Sequence, residues 1–97
     1  MLELRPNCEH CGYALPADSP LARICSFECT FCADCVALLH HACPNCGGNF
    51  VPRPVRPATD ARHGNDLQHY PASTTARYRP VDLAAHQQWL EQQQQRQ

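Results

Sequence analysis

The chain has 97 residues, 43% of them apolar, with eight cysteines, no lysine and a formal net charge of -1. This length, with so few large apolar side chains, allows one small domain and excludes a second core. No apolar run is long enough to cross a bilayer, and none supplies the roughly 7–15 residue core of a secretory signal behind a basic start, so the chain is expected in the cytoplasm.

Residues 1–50 hold every cysteine, from Cys8 to Cys46. Their sizeable apolar side chains are few, and a core that thin needs staples. In a reducing compartment thiols stay reduced, so a cysteine array is expected to hold metal and not disulfides. In chain order the pairs are Cys8-x2-Cys11, Cys25-x3-Cys29, Cys32-x2-Cys35 and Cys43-x2-Cys46. A Cys-x2-Cys turn brings two thiolates to about 2.3 Å from one zinc ion while nearby backbone amides face the sulfurs. Gly12, Gly47 and Gly48 follow the outer pairs, where such a turn needs positive φ. Two structural zinc ions are therefore expected.

Four pairs can be wired sequentially or alternately. The sequential scheme closes Cys32, Cys35, Cys43 and Cys46 on one ion across seven intervening residues, which is tight. Spacing favours the alternate scheme, with Cys8, Cys11, Cys32 and Cys35 on the first zinc and Cys25, Cys29, Cys43 and Cys46 on the second. Each ion then ties distant parts of the chain together.

Residues 51–80 form a Pro/Arg zone. Pro52, Pro54 and Pro57 alternate with Arg53, Val55 and Arg56, and each proline restricts itself and the residue before it, so an extended spacer is expected. Residues 81–97 follow as a short amphipathic helix: Asp82 is a good N-cap, Leu83, His86 and Leu90 recur at helical spacing, and glutamine is an adequate helix former. Trp89 and Leu90 are placed to dock on the cysteine domain or on a partner. The run Gln92 to Gln95 carries no chemistry of its own.

The intervals between the eight cysteines resemble the RING pattern throughout, with Cys29 where histidine is usual and Cys43-Pro44-Asn45-Cys46 as its closing Cys-Pro-x-Cys. The resemblance covers residues 8–46. It implies a small α+β domain of the treble-clef type, a two-zinc cross-brace with a β-hairpin around 24–27 and a short helix over about 33–40. The N-terminal text from Met1 through Cys46-Gly47-Gly48, with Tyr70-Pro71-Ala72-Ser73-Thr74 in the tail, is also similar to a bacterial family of short cysteine-rich proteins, domain of unknown function 1272. That resemblance implies bacterial origin and no known activity.

Eight thiolates fill two tetrahedra and leave no coordination position for water or substrate, so the sites read as structural. The favoured function is a zinc-stabilised module that binds a protein partner and catalyses nothing. A ubiquitin-type ligase is disfavoured: Glu9 and His10 stand where the RING family carries an apolar residue, His41 and Ala42 where it carries tryptophan, and Gly47 where it carries a basic residue. An iron–sulfur redox protein is suggested by Cys29, Cys32, Cys35 and Cys43-Pro44, but the ferredoxin run leaves three residues before its last cysteine and here there are seven.

Nucleic-acid binding would use Arg53, Arg56, Arg62, Arg77 and Arg79 with Tyr70 and Tyr78. It is opposed by the first zone, where Arg5 and Arg23 face five acids and each zinc in four thiolates adds a net charge of about -2. His10, His40, His41, His63, His69 and His86 are read as exposed or supporting residues, since eight cysteines suffice. Phe27, Phe31, Leu38 and Leu39 are expected in the core, and any of them left uncovered becomes the best partner contact.

Overall fold

The computed structural model describes residues 1–59 and 62–95. Its regular elements are strands β1 (Ala22–Ile24) and β2 (Thr30–Cys32), helix α1 (Ala33–Leu38), strand β3 (Val51–Pro52), a 3-10 turn at Arg62–Gly64 and helix α2 (Leu83–Gln95). The strands make one antiparallel sheet in the order β2-β1-β3, with Arg23 opposite both Phe31 and Pro52. The fold is small α+β with little regular structure.

The expected hairpin forms from β1 and β2, a few residues wider than the 24–27 turn. Cys25 N–H donates to the Cys29 carbonyl (3.2 Å) and Glu28 N–H to the Cys25 carbonyl (3.0 Å), with Glu28 left-handed at φ 65°. This is a three-residue hairpin loop whose last position favours glycine, occupied here by glutamate.

Helix α1 stops at Leu38, two residues short of the expected 33–40. His40 N–H donates to the Ala37 carbonyl (3.1 Å) and His41 N–H to the Val36 carbonyl (3.0 Å), the paired bonds of a Schellman ending, with His40 left-handed at φ 55°.

The core is small and rich in sulfur. Phe31, Leu15, Leu39, Val36 and Ala22 pack with six buried cysteines, and Phe50 meets Phe31 edge-on at 5.6 Å. Two core expectations are corrected. Phe27 is 72% exposed, because the hairpin loop turns its backbone N–H inward to the Cys25 sulfur (3.4 Å) and its ring outward. Leu38 is also exposed while Leu39 is fully buried, since a single-sided helix of six residues covers one of two successive side chains.

In the Pro/Arg zone the proline run 51–57 is extended and 62–70 is turned, and neither stretch stands away from the cysteine domain as a spacer. Val51–Pro52 joins the sheet, Arg53 N–H donates to the Ala22 carbonyl (3.0 Å), Ser73 N–H to Leu4 (3.0 Å) and Arg79 N–H to Glu9 (2.7 Å). The Arg53 guanidinium donates to the carbonyls of Arg5 (2.9 Å), Leu15 (3.2 Å) and Pro16 (2.9 Å). That of Arg56 donates to Leu2 (3.0 Å) and Tyr70 (2.8 Å). The physical reason lies in the N-terminal segment, whose irregular backbone has carbonyls that no sheet or helix satisfies. The tail supplies the donors.

Helix α2 begins as expected, with Ala85 N–H bonded to the Asp82 carboxylate (3.1 Å). Positions 96 and 97 of the expected helix lie outside the described residues. No helix among the described residues is long and apolar enough to cross a membrane.

Candidate metal centre

Both outer cysteine pairs fold into the same turn. In the first, Cys8 N–H donates to the Tyr13 carbonyl (2.8 Å) and Gly12 N–H to the Cys8 carbonyl (3.0 Å); in the second, Cys43 N–H donates to Gly48 (2.8 Å) and Gly47 N–H to Cys43 (2.9 Å). Gly12 and Gly47 sit at φ 79° and 80°, which glycine adopts at no steric cost. Gly48, expected to share that role, lies outside the left-handed region and instead donates its N–H to the Cys46 sulfur (3.4 Å).

The remaining cysteines come from the hairpin and the helix start. Cys32 ends β2 and Cys35 lies in the first turn of α1, so the passage from strand to helix turns both sulfurs toward the first knuckle. The sulfurs of Cys8, Cys11, Cys32 and Cys35 all lie within 4.8 Å of one another. Cys11 and Cys32 are 3.8 Å apart, and the edge of a tetrahedron with metal–sulfur bonds of about 2.3 Å is about 3.8 Å. These four residues fit a single tetrahedral ion.

Cys25, Cys43 and Cys46 form the second group within the same limit. The Cys29 sulfur falls outside that limit, although its backbone carbonyl accepts from Cys25 N–H (3.2 Å) across the hairpin loop. No disulfide joins any two of the eight cysteines.

The thiols are not alike. Burial pushes those of Cys35 and Cys43 well above the ordinary range, and neighbouring cysteines add to this. Burial also opposes ionisation of Cys8, but the backbone N–H groups of Cys11, Cys32 and His10 outweigh it and hold that thiol below the ordinary value. At Cys46 burial is likewise outweighed, by Gly48 N–H and the side chains of Cys25, Cys43 and Ser26. In each group one thiol is thus lowered, Cys8 in the first and Cys46 in the second, while burial raises Cys32 and Cys35 in the first and Cys25 and Cys43 in the second.

Glu9, between the first two cysteines, is a functional residue that the motif does not single out. It is 4% exposed. Its N–H donates to the Thr30 carbonyl (3.0 Å), and its carboxylate accepts from Thr30 N–H (2.6 Å) and from Arg5 (2.9 Å). The first knuckle is thereby fastened to β2 two residues before Cys32. The one signal in the sequence is an acid where the RING pattern carries an apolar residue, with Arg5 four positions earlier.

None of the histidines joins a cysteine group. His10 Nδ1 accepts from Val81 N–H (2.7 Å), and buried His86 bonds through Nε2 to the Leu39 carbonyl (2.8 Å). These two fasten the tail to the cysteine domain, as does Trp89, whose ring packs over Gly47. Of the tail arginines, Arg53 and Arg56 spend their donors on backbone carbonyls, and Arg77 lies 3.4 Å from Glu3.

Fold and site together define a small α+β protein organised around two cysteine clusters positioned to bind metal ions. The chain belongs to the family described as protein of unknown function DUF1272, whose model matches residues 1–56. It is similar to an uncharacterized protein of Rhizobium meliloti (strain 1021), 56% identical over 85 residues that span 87% of this chain and 94% of that protein. No solved structure matches.

Proposed function

We propose that the protein is a RING-like, zinc-stabilised interaction module with no catalytic activity of its own, working in the reducing cytoplasm. The observation that carries this reading is the four-sulfur group with its 3.8 Å edge between Cys11 and Cys32. Four sulfurs at that spacing suit one ion, whereas an iron–sulfur cluster interposes its own atoms and holds its cysteines farther apart. Four thiolates close a zinc site to water and substrate. In the second site Cys29 completes the set with Cys25, Cys43 and Cys46. Zinc at both sites supplies folding free energy, about 10–16 kcal/mol per site in small zinc peptides, to a core of few apolar side chains.

Exposed Phe27 and Leu38 are the contacts offered to a protein partner. Nucleic-acid binding is the weaker reading, because Arg53 is buried and half-buried Arg56 already donates to the Leu2 and Tyr70 carbonyls.

Metal analysis with an absorption spectrum, on protein purified without oxygen or added metal, tests the proposal. About two zinc ions per chain and no visible band are expected. A brown, iron-containing preparation would sink the reading in favour of a redox protein.

A further inference from the structure

The two cysteine groups differ in how they are held. In the first, four sulfurs converge, and the hydrogen bonds between Glu9 and Thr30, backed by Arg5, join its knuckle to β2 without any help from metal. In the second, the sulfurs of Cys25, Cys43 and Cys46 converge and that of Cys29 falls outside the same limit. Its knuckle closes on itself through Cys43, Gly47 and Gly48, and its outer side is covered by helix α2.

Two side chains of α2 make that contact, below the bond from Val81 N–H to His10 at the helix entrance. His86 is 6% exposed and bonded to the Leu39 carbonyl, four residues before Cys43. Trp89 stacks on His86, ring centroids 5.9 Å apart, and lies so close to the knuckle that a Cβ on Gly47 would come within 3.1 Å of its ring. A groove of about 550 Å³ runs between helix and knuckle, lined by Cys43, Cys46, Arg79, Asp82, His86 and Trp89. The rest of α2 is largely polar and Leu83 is exposed. A helix of 13 residues is marginal alone in water, so its seat decides whether it holds.

Resting on the zinc reading above, we propose that the second site is the exchangeable one and that α2 is its cover. Seating of His86 and Trp89 and binding of zinc at Cys25, Cys29, Cys43 and Cys46 stabilise each other. Metal at this site fixes the knuckle surface that Trp89 reads, including the left-handed Gly47. By linkage, the seated helix must hold the metal more tightly to the same degree. The first site stays loaded and maintains the fold. Zinc leaves the second by ligand exchange, passing to an acceptor's donor atoms while solvent protons return to the thiolates, and no electron moves.

The test uses full-length, zinc-loaded protein challenged with excess pyridylazo-resorcinol, following zinc transfer by absorbance and Trp89, the single tryptophan, by fluorescence. One zinc per chain is expected to leave fast and one slowly, with the fluorescence change accompanying the fast phase. Trp89→Ala and His86→Ala are expected to speed the fast phase on the order of tenfold and leave the slow one unchanged. The milder Trp89→Phe and His86→Gln, which keep a ring and a donor respectively, are expected to stay near the wild-type rate. Both zinc ions leaving in one phase, a fast phase indifferent to either alanine variant, or fluorescence following the slow phase would each overturn the inference while leaving the two-zinc reading intact. Folded protein that carries fewer than two zinc ions at the start overturns both.

Discussion

Arg53 is 4% exposed, and among the described residues its guanidinium bonds to three backbone carbonyls and to no carboxylate. Burial lowers its pKa below the ordinary arginine value, the mark of a cation whose desolvation is offset by oriented dipoles and not by a counter-charge. Arginine remains protonated regardless, and its planar fork reaches several acceptors at once. Replacing it leaves the buried Leu15 carbonyl and two part-buried ones without their donor, so Arg53→Met is expected to cost about 2 kcal/mol in the urea unfolding of the metal-loaded protein. Arg53→Lys, a point charge on a flexible stem, is expected to recover less than half of that. A midpoint for Arg53→Met equal to wild type would show that the three bonds contribute nothing. The sequence displays Arg53 as one arginine of a proline-rich run, because its acceptors lie 37 to 48 positions away along the chain.

The knuckles were legible as elements, since Cys-x2-Cys followed by glycine states both the ligands and the backbone they need. Which glycine of the pair Gly47-Gly48 bends the chain was not. Gly47 carries φ 80°, and an added Cβ would meet the Trp89 ring at 3.1 Å; a Cβ on Gly48 would find the Cys46 sulfur and the Ser26 hydroxyl at an ordinary 3.6 Å. Gly47→Ala is therefore expected to lower stability by about 1–2 kcal/mol, from left-handed strain and displacement of α2, and to shift tryptophan emission toward that of an exposed indole. Gly48→Ala is expected to be near neutral. Thermal melts and emission spectra of the two variants decide it, and the reverse order of damage would contradict the assignment. The hairpin and the short helix were expected, but not the left-handed residues Glu28 and His40 that close the one and end the other, for a related reason. Both are left-handed without glycine, and nothing in residue type announces a conformation that the surrounding structure imposes.

At the scale of the whole molecule, strands of two or three residues and a core built largely from cysteine cannot hold a fold by burial alone. Stripping metal with a strong chelator is expected to abolish the cooperative thermal transition, and restoring zinc to return it. Loading exchanges protons for the ion. With Cys8 and Cys46 held below the ordinary thiol range and Cys35 and Cys43 pushed above it, a site of four thiols is expected to release about three to four protons per zinc near neutral pH. The sign follows: affinity falls as pH drops, and it keeps rising above pH 7 until the elevated thiols ionise on their own. A pH-stat titration measures the release, and fewer than one proton per ion would mean that the sulfurs are not the ligands.

What the sequence determined by itself was local or periodic: eight cysteines in four pairs, Gly12 and Gly47 at the bends, and a helix started by Asp82. These are readable because spacing and backbone preference act between near neighbours. Tertiary structure decided what depends on distant partners: that Glu9 fastens the first knuckle to β2, that Arg53 and Arg56 serve backbone carbonyls, that Phe27 faces outward, and that Trp89 seats on Gly47. The N-terminal segment and the tail each lack backbone partners of their own, and each completes the other only when the chain has folded back upon itself.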